Sequence, residues 1–358
     1  MKTIPFFSEI LLDWFEANQR SLPWRGETDP YKIWVSEIIL QQTRVNQGYN
    51  YYTTFIKRFP DLNSLAEANL QEVLHVWQGL GYYSRARNMH AAAQQISVLH
   101  QGIFPKEYRE IRKLKGIGEY TAAAVSSIAF NRPFPAVDGN VMRVISRLFD
   151  IFDDISQQKT RCKITKLCKS LINKENPGDF NQALMELGAI QCTPKNPKCE
   201  TCPFANYCLA LEKEHTPLLP FKSFKPKIRQ RFFHYFILIH KSKIIIEQRI
   251  ENDIWKNLYQ FPLIETTLAK DMISKKDISM AGLGEIEPLF LKEVKHKLTH
   301  QHLTLRFYLA TNFISPIKKE WKAISIEDFK NYPFPAVLHD LLLYLQSESH
   351  HNGCCFLQ

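Results

Sequence analysis

No window of the sequence approaches the ~18 consecutive apolar residues of a membrane span, so no membrane-crossing helix is expected. Nor is the opening expected to act as a cleavable signal peptide. The opening MKTIPFFSEILLDWFE carries acids inside its apolar stretch and no small-residue cleavage site. It reads instead as an amphipathic helix with Phe6, Phe7, Ile10, Leu11, Trp14 and Phe15 on one side. Acids are in short supply: 36 Asp and Glu face 46 Lys and Arg, a formal charge of +10. That balance suits a polyanionic partner, nucleic acid first and a membrane surface second. There is no internal repeat, and the 358 residues are too many for one average domain, so two are expected. Cysteine is unevenly used. Four of the eight crowd between 192 and 208, and in a reducing cytosol such clustering means metal more often than disulfide.

Residues 1–213 carry apolar side chains at helical spacing, as in Ile33, Trp34, Ile38 and Ile39, then Leu70, Val73, Leu74 and Trp77. Asp61 and Asn63 mark a helix start. Residues 214–231 change texture. They are rich in proline and Lys or Arg, with no acid after Glu214, and read as a basic linker. Beyond them FFHYFILIH, KIIIEQR and LTLRFYLATNF are β-branched and aromatic, and a final amphipathic helix is expected over about 334–346. The fold class expected is multidomain: an all-α domain over 1–213, then an α+β domain over 232–346. The polar end 347–358, with two His and two Cys, reads as a frayed tail.

Cys192, Cys199, Cys202 and Cys208 are separated by six, two and five residues. Four thiolates this close in sequence can wrap one metal centre, zinc or iron–sulfur. The stiff, proline-rich loop between them lowers the entropic cost of gathering the ligands. Zinc ribbons use two CxxC pairs set well apart, and only one is present. Cys162 and Cys168 lie on an expected helix and read as ordinary residues.

Leu114 to Ala122 (LKGIGEYTA) sits between two helical segments. Gly116 and Gly118 flank one apolar residue and make a tight turn at a helix start. Its outward N–H groups suit a DNA phosphate, although Gly-x-Gly turns are common. Asp138 follows an apolar stretch and precedes Gly139-Asn140. As an N-cap it is expected to stay ionised through the helix N–H groups. Glu37 lies four residues after Ile33 and three after Trp34, on the apolar side of its helix, where a carboxyl has a raised pKa.

Taken together, these motifs resemble the MutY family of the endonuclease III, helix–hairpin–helix glycosylase superfamily. The six-two-five cysteine spacing, the hairpin and Val137-Asp138-Gly139-Asn140-Val141 carry the superfamily likeness. Leu22-Pro23-Trp24-Arg25 and the run Asp29 to Val45 carry the likeness to MutY itself. The resemblance covers nearly the whole chain and is dense in 20–50, 77–87, 114–143 and 178–208. It implies one 4Fe–4S cluster on the four cysteines. It implies Glu37 as the acid that protonates adenine, Asp138 as the carboxylate near the anomeric carbon, and Tyr120 and Asn140 as supports. Bifunctional relatives carry a lysine at position 120, and with a tyrosine there this chain resembles the monofunctional branch. Leu40, Gln41, Gln42 and Thr43 match a duplex-wedging segment, and Leu80, Gly81 and Tyr82 a second DNA-facing loop. Arg20, Trp24, Arg25 and Gln182 match the adenine pocket. Lys115 departs from the pattern, standing where many relatives have proline.

Ile254 to Pro262 resembles the Nudix-like domain that MutY proteins carry, but no Glu-rich metal-binding helix follows Phe261, so a binding module is expected rather than a second hydrolase. Leu298, Thr299 and His300 match the family's loop that touches oxidised guanine, with Leu for Phe and Thr for Ser. The expectation is a cytoplasmic, nucleoid-associated monomer that removes adenine from double-stranded DNA at A:8-oxoguanine or A:G mispairs. An endonuclease III-like lyase on damaged pyrimidines, or a non-catalytic iron–sulfur DNA-binding protein, are the rivals. Tyr120 and the second domain oppose the first, and the presence of both Glu37 and Asp138 opposes the second.

Overall fold

The computed structural model describes residues 4–223, 228–240, 243–267, 269, 273–311 and 318–351. The chain forms two compact units, 1–67 with 88–224, and 68–87 with 225–358. The helices up to residue 213 are α1 (Phe7–Asn18), α2 (Pro30–Ile39), α3 (Val45–Arg58), α4 (Leu62–Glu67), α5 (Leu70–Val76), α6 (Ser84–Leu99), α7 (Tyr108–Lys113), α8 (Glu119–Phe130), α9 (Gly139–Leu148), α10 (Gln158–Leu171), α11 (Pro177–Glu186) and the short α12 (Leu209–Glu212). The stretch 68–87, which holds α5 and the start of α6, clusters with the second unit. No described helix is long and apolar enough to cross a membrane.

In the first unit α1 buries Phe7, Leu11 and Phe15 against Val144, Ile145 and Leu148 of α9 and Phe180 and Leu184 of α11. Each such side chain contributes about 2 kcal/mol on leaving water. Phe7 also stacks on Phe204 at 4.7 Å, tying α1 to the cysteine loop. Phe6 departs from the expected apolar face. It precedes the helix in a left-handed conformation and is 73% exposed. Helix α2 is the reverse of amphipathic: Tyr31 and every residue from Ile33 to Ile39 are buried. Asp29 caps it, accepting from Tyr31 N at 2.9 Å, with Pro30 at its first turn. α2 packs on α8.

The linker is less free than its composition suggests. Arg147 Nε donates to Leu219 O at 3.0 Å, and Ile155 N donates to Phe221 O at 3.0 Å. Its far end is not linker: Arg229 to Arg231 belong to β1 (Arg229–His240), and Arg231 is buried. Composition hides this because the carboxylates that pair Arg231 lie far along the chain.

The second unit holds a mixed sheet of seven described strands. They are β1, β2 (Lys243–Gln248), β3 (Tyr259–Gln260), β4 (Leu263–Thr266), β5 (Leu289–Lys297), β6 (Gln301–Ala310) and β7 (Trp321–Ser325). The order β3-β2-β1-β6-β5 puts β1 inside, parallel to β6 from Arg229–Gln301 to Leu238–Ala310. Phe233 to Leu238 are all buried, as expected of a central strand covered on both faces. α13 (Lys275–Met280) follows β4 and holds one acid, Asp277, spent on the Ser274 cap. Helix α14 (Ala336–His351) runs further than the expected 346, because neither glycine nor proline interrupts it before Gly353. Residues 352–358, with the two tail cysteines, lie outside the described residues.

Candidate active site

Glu37 and Tyr120 meet in the first unit. The Tyr120 hydroxyl donates to Glu37 Oε2 at 2.5 Å and lies 3.2 Å from Met185 Sδ. Burial pushes the Glu37 carboxyl up to about 7; the Tyr120 hydrogen bond and the Arg25 charge pull the other way. Burial, with the Glu37 and Asp138 charges, holds the Tyr120 hydroxyl well above its ordinary value. It therefore remains a neutral donor.

Asp138 caps α9. Its Oδ1 accepts from Val141 N at 2.8 Å and its Oδ2 from Asn140 Nδ2 at 2.8 Å. The sequence reading expects the cap to hold this carboxylate ionised. Burial outweighs the cap, and its pKa is raised above the ordinary value. Asn140 is itself fixed: its Oδ1 accepts from Arg143 Nη2 at 2.9 Å, and Arg143 Nε reaches Cys192 O at 2.9 Å. A Cβ on Gly188 would lie 2.6 Å from Asn140 Cβ, so only glycine lets the chain pass here.

Arg20, Arg25 and Gln182 converge on a residue that motif reading missed. Glu186, 3% exposed, accepts from Arg20 Nε at 2.6 Å, Arg20 Nη2 at 2.9 Å and Arg25 Nη2 at 2.9 Å. These cations hold its carboxyl below the usual range against the opposing effect of burial. Arg25 Nη1 also donates to Gln182 Oε1 at 2.5 Å. Glu186 closes α11 four residues after Gln182, on the same helix face. That i, i+4 spacing was the available signal. Trp24 is buried edge-on against Tyr52 at 5.4 Å.

Leu40 to Thr43 form the turn after α2, with Gln42 at φ 58° and Gln41 Nε2 donating to Thr121 Oγ1 at 3.1 Å. In the hairpin between α7 and α8, Gly116 has φ 76°, and a Cβ there would meet Asn88 Cβ at 2.5 Å. A Cβ on Gly118 would meet nothing within 4 Å, so the turn is open on that side. Lys115 N donates to Gln95 Oε1 at 2.8 Å, which anchors the turn of the hairpin where proline could not donate.

Cys192, Cys199, Cys202 and Cys208 line one small cavity of about 30 Å³. Four thiols lining one cavity are the donor set that a four-cysteine centre requires. Burial pushes the Cys202 thiol up to about 12, and Arg147 Nη1 lies 3.3 Å from Cys192 Sγ. A cationic centre would let these thiols ionise. The donor set fits a 4Fe–4S cluster, held by these four sulfurs.

In the second unit a cleft of about 500 Å³ separates the Gly79–Tyr83 turn from the β5–β6 hairpin. Leu298, Thr299 and His300 lie in that hairpin, closed by Leu298 N donating to Gln301 O at 2.7 Å. The hydroxyls of Tyr82 and Thr299 are hydrogen-bonded. Gly81 O accepts from Trp77 Nε1 and Arg85 Nη2, each at 3.1 Å, while Leu80 is buried beneath.

The chain matches the HhH-GPD superfamily of base excision DNA repair proteins over 35–170 and the iron–sulfur binding domain of endonuclease III over 192–208. It matches the NUDIX domain over 234–344. An adenine DNA glycosylase of Buchnera aphidicola subsp. Schizaphis graminum is 38% identical over 74% of this chain and 77% of its own length. This chain belongs to the adenine DNA glycosylase family. A second family member, from Buchnera aphidicola subsp. Baizongia pistaciae, is 35% identical over 90% of this chain and 91% of its own. The human adenine DNA glycosylase is 41% identical over 58% of this chain and 40% of its own. Among solved structures, a thermostable thymine-DNA glycosylase is 29% identical, with a TM-score of 0.53 over 58% of this chain and 95% of its own. Membership of the family brings the helix–hairpin–helix glycosylase domain, one 4Fe–4S cluster on the 192–208 loop and a Nudix-like second domain.

Proposed function

We propose that the protein is a monofunctional glycosylase that hydrolyses the N-glycosyl bond of adenine mispaired with 8-oxoguanine or guanine. The observation that carries this reading is the Tyr120–Glu37 pair: a buried carboxyl with a pKa of about 7 under a neutral hydroxyl, in a unit that also holds the capped Asp138. Glu37 gives its proton to the adenine ring, which leaves as a neutral base. Asp138 faces the positive charge that develops on the sugar, and Asn140 holds it there. Water then adds to the sugar and an apurinic site remains. Arg20 and Arg25, clamped by Glu186, with Gln182 and Trp24, bind the flipped base. The hairpin N–H groups grip a phosphate, and Leu40 to Thr43 fill the gap in the stack. The cluster folds a loop and takes no chemical step.

The same reading gives the second unit the opposite base. Tyr82 and Thr299, whose hydroxyls are hydrogen-bonded, line a cleft, and on this reading the Thr299 hydroxyl bonds the oxidised guanine. The protein works as a cytoplasmic monomer on duplex DNA. A duplex with a single A:8-oxoguanine pair tests the reaction class: release of free adenine with strand breakage only after alkali supports it. Breakage without alkali, with borohydride trapping of the enzyme on DNA as its main product, would restore the lyase reading, although Tyr120 has no amine. Thr299→Ala tests the base reading. One hydrogen bond is worth ~0.5–1.5 kcal/mol, so a several-fold fall in the 8-oxoguanine to guanine rate ratio is expected.

A further inference from the structure

Arg231, at the start of β1, is 4% exposed in a unit whose surface is otherwise rich in exposed bases. A guanidinium carries five N–H donors in a fixed fork, and all five are used here. Nε and Nη2 donate to Glu265 at 2.7 and 2.6 Å, and Nη1 and Nη2 donate to Asp253 at 2.8 and 2.7 Å. The fifth donor, on Nη1, goes to Gln301 Oε1 at 3.0 Å. Two carboxylates and one neutral amide therefore meet on one cation. Arg249 adds a second cation, donating to Asp253 Oδ2 at 2.8 Å, so two guanidiniums face two carboxylates. Both guanidiniums lie against the Phe233 ring, at 4.7 and 5.6 Å.

The acceptors are not scattered. Asp253 lies in the loop that carries Trp255, and that loop lines the cleft. Gln301 immediately follows the Leu298–His300 turn on the cleft's other wall. Burial does little to hold the turn: Thr299 and His300 are exposed, Leu298 is half-buried, and the side-chain tie on Thr299 is the hydroxyl of Tyr82. Its main-chain ties are Leu298 N to Gln301 O at 2.7 Å and Arg229 N to His300 O at 3.0 Å. The entry of β1 thus touches the turn through Arg229 and anchors its following residue through Arg231.

We infer that Arg231 is a positioning residue for mispair discrimination, fixing the Leu298–His300 turn through Gln301 while it fixes the Trp255 loop through Asp253. The inference rests on the reading that this turn meets the base opposite adenine. A hydroxyl that must bond one base and not another loses discrimination when its carrier drifts by fractions of an ångström, even if the chain stays folded. Three groups that differ in charge and come from three segments fix the guanidinium in one plane. A lysine, a point donor, cannot meet them all.

The test uses the full-length, iron-loaded protein and two duplexes, with adenine opposite 8-oxoguanine or opposite guanine. Gln301→Met removes only the fifth acceptor and leaves both ion pairs intact. Gln301→Glu keeps an acceptor oxygen. The single-turnover rate ratio between the two duplexes should fall several-fold in Gln301→Met and stay near the parent value in Gln301→Glu. Arg231→Lys should lower the ratio at least as far. Iron content of the Gln301 variants should match the parent and any fall in melting temperature in Gln301→Met should be no more than several degrees, so that both remain fully folded at the assay temperature, which separates positioning from general instability. An unchanged ratio in Gln301→Met, with Thr299→Ala lowering it, would overturn the positioning role and spare the base reading. If neither variant moved the ratio, the base reading would fail and this inference with it. If Arg231→Lys does not fold, the two Gln301 variants decide the question.

Discussion

The Tyr120 hydroxyl lies 2.5 Å from Glu37 Oε2 and favours the ionised carboxylate, while burial and the Asp138 charge favour the protonated acid. The balance falls at about 7, near the pH at which a general acid is most useful. The rate of adenine release should therefore decline as pH rises through about 7. Tyr120→Phe removes the donor to the ionised form, so the alkaline limb should move to higher pH. A pH–rate series under single-turnover conditions reads this; a limb that stays put or moves down would contradict it. A carboxyl at about 7 when folded and 4.5 when unfolded binds its proton more tightly in the native state, so stability is lost as pH rises between those values. Glu37→Gln should recover on the order of 3 kcal/mol above that window, seen as a higher melting temperature, and little below it.

Glu186 is the shared acceptor of two guanidiniums, and its loss strands both. Glu186→Ala should destabilise the protein by about 2 kcal/mol, since Arg20 and the half-buried Arg25 would both lose their charged acceptor. Glu186→Gln keeps the shape and an acceptor oxygen and should cost less. Denaturant unfolding measures both, and equal stability of Glu186→Ala and the parent would show that the Arg–Glu–Arg arrangement is not what orders this corner.

The two hairpin glycines should separate cleanly. Gly116→Ala meets both a φ of 76° and Asn88 Cβ at 2.5 Å, so it should lower the melting temperature by several degrees. Gly118→Ala has open space and no unusual φ, so the fold should hold while binding to undamaged duplex weakens, because the methyl stands where a phosphate must approach the N–H groups. Thermal melts paired with binding at two salt concentrations distinguish them. A Gly118→Ala variant that binds as the parent does would remove the hairpin from the phosphate grip.

Purified protein should be yellow-brown, with iron and sulfide each about four per chain, as a cubane on four thiolates requires. Cys202→Ser should lower the iron content and loosen the 192–208 loop, visible as fast amide exchange there. A colourless protein loaded with zinc and fully active would contradict the cluster.

The chemistry-bearing residues were legible because they sit at fixed spacings within single elements: the six-two-five cysteines, the Gly-x-Gly turn, and Asp138 before its helix. What stayed hidden was carried by partners far apart in sequence. Arg231 looks like linker until Asp253, Glu265 and Gln301 fold onto it. Glu186 looks like an exposed helix end until Arg20 and Arg25 arrive. The cap on Asp138 was readable, but the burial that reverses its effect on the pKa depends on the whole site. Phe6 lies off the expected face because periodicity does not tell where a helix begins, and one residue outside the first turn points elsewhere.

The most direct test is single-turnover release of adenine from a duplex with one A:8-oxoguanine pair, by the parent protein, Glu37→Gln and Asp138→Asn. The parent should release free adenine and leave an alkali-labile site. Each variant should lose release by a hundredfold or more, roughly the size of a lost general acid or electrostatic partner, while still binding the duplex. Adenine release at parental rates by either variant would contradict the two-carboxylate mechanism at its centre.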